Sequence, residues 1–375
     1  MVHFNVNFAR FNSFTDITMV LSKTLHQMGI PVSVEPSEIV PGTPYVLEDE
    51  DQELLKQFMN NSPSDLFQIR WSHYWHSCLL RKLTGHVNLE VFAINYQFTK
   101  TDEPFDDWIQ DAIKNSYHTL AISKYCQQVL LDAGCSPDKV SVIPLGFNRE
   151  LTTVDPAPKL SQQLNNDRKY ILHLTNSWDF YRFGTDILIP AFCQEFQDRT
   201  DVELFIKDAG ANPEIIGEYI RKSQKQNGGK IPPIRATDRF LTKKQLARLY
   251  LSVDALVAPF RGEGFAIKVL DGFAAGLPVA MTLYGGPTEY GTPANCYPID
   301  YDLVPVGECY DTKYYQIYNS PHWAEPRLSS LREQLRNLVD DPHRHQVAAN
   351  AQATAQNFSW EMTSRKLLKL IRQLS

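Results

Sequence analysis

The sequence predicts an α/β fold of two Rossmann-like, doubly wound parallel-sheet domains facing each other across a cleft, and three observations carry this expectation. Strand, helix and strand follow one another within the first 35 residues, the same succession recurs up to about residue 145, and it starts again after a polar, proline-containing stretch. At 375 residues the chain is long enough for two domains, at about 150 residues for each.

Val2 to Phe8 alternates as a short strand does, Ser13 to Met28 carries apolar residues at helical spacing, and Gly29 stops that helix. Ile30 to Val34 reads as the next strand, giving the right-handed strand–helix–strand unit of a parallel sheet. Leu120 to Ser123, a helix to Gly134 and the β-branched run Val140 to Pro144 repeat it. Between Leu151 and Arg168 the composition turns to Pro156, Pro158, Ser161 and amides. Tyr170 to Leu174, a helix near Asp186 to Phe196, and Val202 to Ile206 open the second series. It continues through a helix ending near Leu251, the strand Ala255 to Ala258, a helix from Ala266 to Ala275 and the strand Pro278 to Met281. Amphipathic helices are expected from Pro326 to Val339 and from Trp360 to Leu374, with their apolar stripes packed inward. The expected organisation is an N-terminal domain over 1–155, a linker over 156–168, a C-terminal domain over 169–357, and a last helix over 358–375 packing back towards the N-terminal domain.

Apolar residues make up 43% and charged residues 21% of the chain, the balance of a globular protein. A net charge of −6 disfavours a nucleic-acid partner and a strong electrostatic anchor on an anionic membrane. The acidic run Glu48 to Asp51 reads as a solvated loop. The six cysteines, Cys78, Cys126, Cys135, Cys193, Cys296 and Cys309, show no C-x-x-C pair, so they suggest buried thiols in a reducing cytoplasm and no zinc site. No charged-then-apolar leader opens the chain and no stretch of about 18 apolar residues occurs, so neither secretion nor a transmembrane segment is expected, and nothing supports peripheral membrane association.

Pro259 to Phe265 follows an apolar strand and precedes a helical pattern, which places Gly262 and Gly264 in a strand-to-helix turn. Such a turn suits an anion, because free N–H groups and the positive end of the helix dipole point at its occupant. Glu263 and Asp271 stand eight positions apart, roughly 12 Å along a helix axis and near one side of it. That span matches the distance from a sugar on a diphosphate to the ribose at its other end, so two carboxylates could accept hydrogen bonds from both. The alternative is an N-terminal Glu favoured by the dipole and an exposed Asp.

Arg261 to Phe265, followed by Leu270-Asp271-Gly272-Phe273-Ala274-Ala275-Gly276-Leu277-Pro278-Val279, resembles the E-x7-E donor motif of retaining glycosyltransferase family four, glycosyl transferases group 1, with the GT-B fold. Ser123, Gly134, Val142 to Phe147, Asp254, Gly285 to Glu289 and Phe358-Ser359-Trp360 are similar to further pieces of the same family. The resemblance implies a nucleotide-sugar donor in the C-terminal domain, an acceptor in the N-terminal one, transfer with retention, no cofactor and no obligatory metal. It assigns Glu263 to the donor sugar and the second acid to ribose, here Asp271, one methylene shorter than the family's Glu. Gly262, Gly264, Phe265 and Ala266 complete the donor turn, and Thr288 and Glu289, after Gly285-Gly286, are candidates beside it.

A departing nucleoside diphosphate gains charge that fixed cations must meet. Arg182 and Lys207 are the candidates: Arg182-Phe183-Gly184-Thr185-Asp186 resembles an R-K-G-x-D segment with Phe in place of Lys, and Lys207 follows a strand as a basic residue of the family does. By the same resemblance, His73 in Arg70 to His76 is a contact to the donor sugar, and Glu103 and Trp108 line the acceptor pocket. No protein nucleophile is assigned for the oxocarbenium-like step.

The expected function is therefore transfer of a sugar from a UDP- or GDP-sugar to an acceptor hydroxyl in glycan, polysaccharide or glycoconjugate biosynthesis, in the cytoplasm. Two alternatives stay open: a catalytically impaired sugar-nucleotide-binding subunit, suggested by Phe183 and Asp271, and a sugar-nucleotide epimerase on the same architecture. A nicotinamide-dependent oxidoreductase is disfavoured, since no G-x-G-x-x-G follows the first strand.

Overall fold

The computed structural model describes residues 1–8, 13–39, 49–61, 67–72, 87–92, 113, 117–155, 157–210, 212–305 and 322–374. The chain divides into one unit of Met1–Gly146, Pro305–His322 and Phe358–Ser375, and another of Phe147–Val304 and Trp323–Asn357. The first passage between them falls at Gly146 and Phe147; the stretch 156–168, expected as a linker, lies inside the second unit and carries the short helix α4 (Leu160–Gln163).

In the first unit, β1 (Val2–Phe8), β2 (Val32–Ile39), β3 (Phe67–Ser72), β4 (Val87–Phe92), β5 (His118–Ala121) and β6 (Val140–Val142) form one sheet in the order β2-β1-β3-β4-β5-β6. Every adjacent pair is parallel, with Val2 opposite both Val32 and Phe67. Helix α1 (Ser13–Gln27) buries Ile17, Leu21 and Leu25 at a four-residue spacing. Gly29, at φ +77°, ends it in the left-handed region and lets the Ile30 N–H return to the Leu25 carbonyl at 3.0 Å. The acidic run read as a loop instead enters helix α2 (Asp49–Asn60), where acids in the first turn face the positive end of the dipole and Asp51 accepts from Lys23 at 2.7 Å. Ser123 caps helix α3 (Lys124–Asp132), its hydroxyl accepting from the Cys126 N–H at 3.1 Å. The last helix, α11 (Trp360–Leu374), packs on α1, burying Trp360, Thr363, Ser364, Leu367, Leu370 and Ile371. The Thr363 hydroxyl donates to the Pro144 carbonyl at 2.7 Å.

The second unit holds β7 (Lys169–Thr175), β8 (Val202–Asp208), β9 (Ile234–Thr237), β10 (Ala255–Ala258), β11 (Val279–Thr282) and β12 (Tyr297–Ile299), in the order β12-β11-β10-β7-β8-β9. All these neighbours run parallel. β13 (Tyr301–Pro305) and β14 (His322–Pro326) form a separate two-stranded sheet. The helices are α5 (Thr185–Glu195), α6 (Pro213–Gln226), α7 (Lys243–Ser252), α8 (Ile267–Ala274), α9 (Leu328–Asp340) and α10 (Arg344–Ala355). Ile171, Leu204, Ile206, Val257 and Ala280 from the strands meet Leu188, Ile189 and Phe192 of α5 and Leu331, Leu335 and Leu338 of α9 in one core. Successive strands run outward from β7 on one side and from β10 on the other, so the order reverses between these two neighbours. In a doubly wound sheet, ligands bind beyond the carboxyl ends of the strands at such a switch point. Here those ends are Thr175 and Ala258.

Among the described residues no helix is long and apolar enough to cross a membrane. Cys126, Cys135, Cys193 and Cys296 are buried free thiols, and burial pushes Cys193 up to about 11; Cys78 and Cys309 lie outside the described residues.

Candidate functional site

The turns that leave β7 and β8 are tied together by one buried carboxylate. Asp208, the last residue of β8, accepts from the Ser177 N–H (2.8 Å), the Ser177 hydroxyl (2.7 Å) and the Gly210 N–H (2.8 Å), and Ser177 Oγ accepts from the Asn212 N–H at 2.9 Å. Both oxygens of the Asp208 carboxylate are thus satisfied, and the knot ties the two turns together at the rim of the sheet. Later in the β7–α5 connection, Gly184 precedes α5 at φ +69°, and a Cβ there would stand 1.8 Å from the carbonyl oxygen of Pro259, across the switch point. Only glycine allows the β7–α5 turn to lie against the β10–α8 turn.

Arg261, the first residue of the motif, is committed to architecture. Its Nη1 and Nη2 reach both Asp186 oxygens at 2.7 and 2.9 Å, Nη2 also reaches Glu325 at 2.6 Å, and the guanidinium lies 5.1 Å from the Trp323 ring centre. It thus fastens the turn to α5 and β14. His173 on β7 is buried between β10 and α5: Nδ1 is 3.0 Å from the Val257 carbonyl and Nε2 2.9 Å from the Thr185 hydroxyl, which is itself 2.6 Å from Thr175 Oγ1. Burial pushes His173 down to about 3, so the ring is neutral, donating to the carbonyl and accepting from the hydroxyl.

Glu263 lies in the turn itself, four positions before α8 begins, so the expectation that both acids line one side of a single helix is corrected. Its Oε1 is 2.7 Å from Lys268 Nζ and 3.3 Å from Arg182 Nη1, and the three side chains are only 14%, 15% and 11% exposed. Burial alone would raise the Glu263 carboxyl, but the Lys268 ammonium and Arg182 guanidinium outweigh it and hold the acid below its usual range. Burial pushes Lys268 down to about 8 despite Glu263, with Arg182 adding to the fall. The ammonium sits 3.5 Å over the centre of the Phe183 ring, and the Arg182 guanidinium is 4.5 Å from the same ring. Arg182 is oriented further by its ion pair with Asp179 and by donation to the Gly262 carbonyl at 3.0 Å.

The backbone of the turn is unusual at one residue. Ala266 stands at φ +57°, ψ +60°, a left-handed conformation that costs an L-residue about 1–2 kcal/mol. Tyr290 secures it, its hydroxyl lying 2.9 and 2.8 Å from the Phe265 and Ala266 carbonyls as donor. The strained residue launches α8, and the first-turn N–H groups of Ile267 and Lys268 stand ahead of the intrahelical ladder. From the loop after β11, Gly286 meets the same turn, while Thr288 and Glu289 follow in a 3-10 turn in which Thr288 is exposed and donates to the Gly285 carbonyl at 2.7 Å.

Asp271 is 4% exposed on α8, and its Oδ1 accepts from the Asn148 N–H at 2.6 Å. The alternative of an exposed acid is thereby removed. Lys207, next to last on β8 and opposite Leu174 of β7, is buried; burial lowers it, opposed by Asp208 and Asp238, and it donates to the Asp208 carbonyl. The structure thus joins Arg182, Gly262, Glu263, Gly264, Phe265 and Ala266 in one cluster, with Asp271 further along α8 and Lys207 on a neighbouring strand end. His73, Glu103 and Trp108 lie outside the described residues. Lys268, Asp179, His173 and Tyr290 escape the sequence reasoning. For Lys268 the available signal was a lysine among Ile267, Val269 and Leu270 in the first turn of a helix, where burial and dipole both oppose a cation.

Residues 168–299 match the family described as Glycosyl transferases group 1, a range that includes Arg182, Lys207, Glu263, Lys268 and Asp271. No curated protein matches the sequence. Among solved structures, the chain is similar to a sucrose-phosphate synthase from Thermosynechococcus elongatus, with 15% identity, a TM-score of 0.69, and 100% of this chain and 99% of that one covered. It is similar to Anabaena HepE in complex with UDP-glucose, with 13% identity, a TM-score of 0.66, and 100% of each chain covered. It is also similar to WaaG, a glycosyltransferase involved in lipopolysaccharide biosynthesis, with 16% identity, a TM-score of 0.63, and 99% of each chain covered. The fold is GT-B, each unit carrying its own parallel α/β sheet.

Proposed function

We propose that this chain is a retaining glycosyltransferase that moves a sugar from a nucleotide-sugar donor, a UDP-sugar before a GDP-sugar, to a hydroxyl of a glycan or glycoconjugate acceptor in the cytoplasm. The observation that carries the proposal is Glu263 held as a buried carboxylate by Arg182 and Lys268 in the strand-to-helix turn at the switch point of the second sheet. The match of residues 168–299 to Glycosyl transferases group 1 and the UDP-glucose in the similar HepE structure favour this reading.

In the proposed complex the diphosphate lies at the start of α8, close to Arg182 and Lys207, which meet the charge that grows as the bond from the anomeric carbon to the phosphate oxygen breaks. The acceptor hydroxyl forms the new bond to that carbon on the face the phosphate leaves, and its proton passes to the departing phosphate oxygen. Glu263, charged because its neighbours hold it so, accepts hydrogen bonds from the donor sugar hydroxyls. Asp271 is assigned to ribose, sharing its carboxylate with the Asn148 N–H. Gly262, Gly264, Phe265 and Ala266 shape the turn, with Thr288 and Glu289 beside it, and His73, Glu103 and Trp108 are assigned to sugar and acceptor. No cofactor or metal is required in this scheme.

Incubation with UDP-glucose, UDP-N-acetylglucosamine and GDP-mannose, with release of the nucleoside diphosphate and the anomeric configuration of the product followed by NMR, tests it. Release of a diphosphate with a retained configuration is expected. Binding without turnover on every acceptor favours the impaired subunit, and an epimerised sugar still on its nucleotide favours the epimerase.

A further inference from the structure

The roles above leave one buried cation without a task in the complex. Lys268 begins on the first turn of α8, and both its burial and the positive end of the helix disfavour an ammonium there. A side chain kept only for packing would be better as Met or Leu, since apolar replacement of a buried charge is often neutral or stabilising. Among the described residues, Glu263 is the one carboxylate within ion-pair distance of it, and that carboxylate already has Arg182, on the same Oε1. The remaining surroundings are the Phe183 and Phe260 rings, at 3.5 and 5.9 Å from Nζ, the neutral His173, and Asp179, which pairs with Arg182. The Lys268 stem is a flexible four-carbon chain, so its ammonium can change partners while the planar, doubly tethered Arg182 stays in place.

We propose that Lys268 is a cation of the diphosphate subsite: Glu263 holds it in the free protein, and it transfers to the terminal phosphate of a nucleoside diphosphate bound at the start of α8, freeing the Glu263 carboxylate for sugar hydroxyls. The exchange keeps each buried charge partnered in both states. This inference rests on the nucleotide-sugar reading of the same site. It adds a residue whose charge couples phosphate binding to the readiness of Glu263. A phosphate monoester has its second ionisation near pH 6, whereas Lys268 loses its proton near 8 in the free protein. Diphosphate affinity is therefore highest between about pH 6 and pH 8, where phosphate and ammonium are both charged, and falls above about 8, because the ammonium must then be reprotonated on binding.

The test is calorimetric titration of the full chain with UDP, GDP and ADP, and with the monophosphate of whichever base binds, at pH 7 and pH 9, for the wild type, Lys268→Met and Lys268→Arg. Expected results are a loss of at least about tenfold in diphosphate affinity for Lys268→Met with the monophosphate changed less than about twofold, and recovery in Lys268→Arg. The wild type loses diphosphate affinity from pH 7 to pH 9, and Lys268→Met loses distinctly less. Equal diphosphate affinity in Lys268→Met and wild type overturns the proposal, as does an equal loss for mono- and diphosphate, which marks a shape effect. If the wild type binds no nucleoside diphosphate, the nucleotide-sugar reading fails along with it; if the wild type binds and Lys268→Met does not discriminate, only the role of Lys268 fails.

Discussion

The Gly286 N–H donates to the Glu263 carbonyl at 2.8 Å, so the turn that carries the buried acid hangs on the turn that follows β11. The contact is close along its length: a Cβ on Gly286 would stand 1.7 Å from the Gly264 carbonyl oxygen and 2.5 Å from the Phe265 nitrogen. Backbone on both sides leaves nothing to swing aside. Gly286→Ala is expected to cost about 2 kcal/mol or more of stability and to displace Glu263 from Arg182 and Lys268. Urea unfolding and a donor-binding titration check both effects; wild-type donor affinity in the variant would show that the two turns are not coupled.

Replacing Glu263 probes stability as well as turnover. An acid exposed at a helix start contributes about 0.3–1 kcal/mol, but this one is buried between two cations. Removing one partner of a buried pair typically costs about 3–5 kcal/mol, and here release of the Lys268 proton offsets part of it. Glu263→Ala is therefore expected both to abolish transfer and to unfold at lower urea than the wild type. Glu263→Gln keeps the volume and some hydrogen bonding, so it is expected to lose activity by about 100-fold or more with a smaller loss of stability. Equal stability of wild type and Glu263→Ala would mean that the ion pairs do not hold the turn.

Much of the second sheet was legible because β7, β8, β10 and β11 are buried parallel strands, whose sequences are dominated by apolar residues despite His173 and Glu203. β9, Ile-Arg-Ala-Thr at the sheet edge, and the polar-interspersed β3 and β4 lack that signature. Helix α10 buries only Ala348, Ala351 and Ala355, too small to draw an apolar stripe in the sequence. The acidic start of α2 looked like solvated loop because charge at a helix N-terminus and charge in a loop share one composition. At the site, spacing located Glu263 and Asp271 but placed both on one helix, because the left-handed break at Ala266 leaves no mark in an Ala. Phe183 stood out as a departure from R-K-G-x-D, yet the ammonium that covers its ring arrives from Lys268, far along the chain, where only folding brings them together.

The strained residue gives a test of opposite sign. Ala266 holds a backbone conformation that glycine adopts without penalty. Ala266→Gly should be neutral to stabilising by up to about 1 kcal/mol, the relieved strain exceeding the extra freedom of the unfolded chain. Tyr290→Phe, which removes the hydroxyl reaching the Phe265 and Ala266 carbonyls, should be destabilising by about 1–2 kcal/mol. Adding Ala266→Gly to Tyr290→Phe should recover part of that loss. Thermal melts of the two single variants and the double variant decide it: a destabilised Ala266→Gly would show that the left-handed turn carries no strain.

His173 predicts how the second unit responds to acid. The folded protein holds this ring neutral, with its affinity for a proton lowered from 6.5 to about 3, while the unfolded chain titrates it near 6.5. Between these values the unfolded state binds more protons, so stability from this group is fully present above about pH 6.5 and falls as pH drops towards 3, by at most about 1.4 kcal/mol per pH unit. Protonation would also reverse the link to Thr185, since the charged ring can only donate there and the hydroxyl must turn its own proton towards Thr175. That link joins β7 to the first residue of α5, beside the Gly184 turn that Pro259 touches. Urea unfolding of wild type and His173→Asn at pH 7, 6, 5 and 4 measures the effect. A steeper fall in the wild type is expected, and parallel pH dependences in the two proteins would remove His173 as the source.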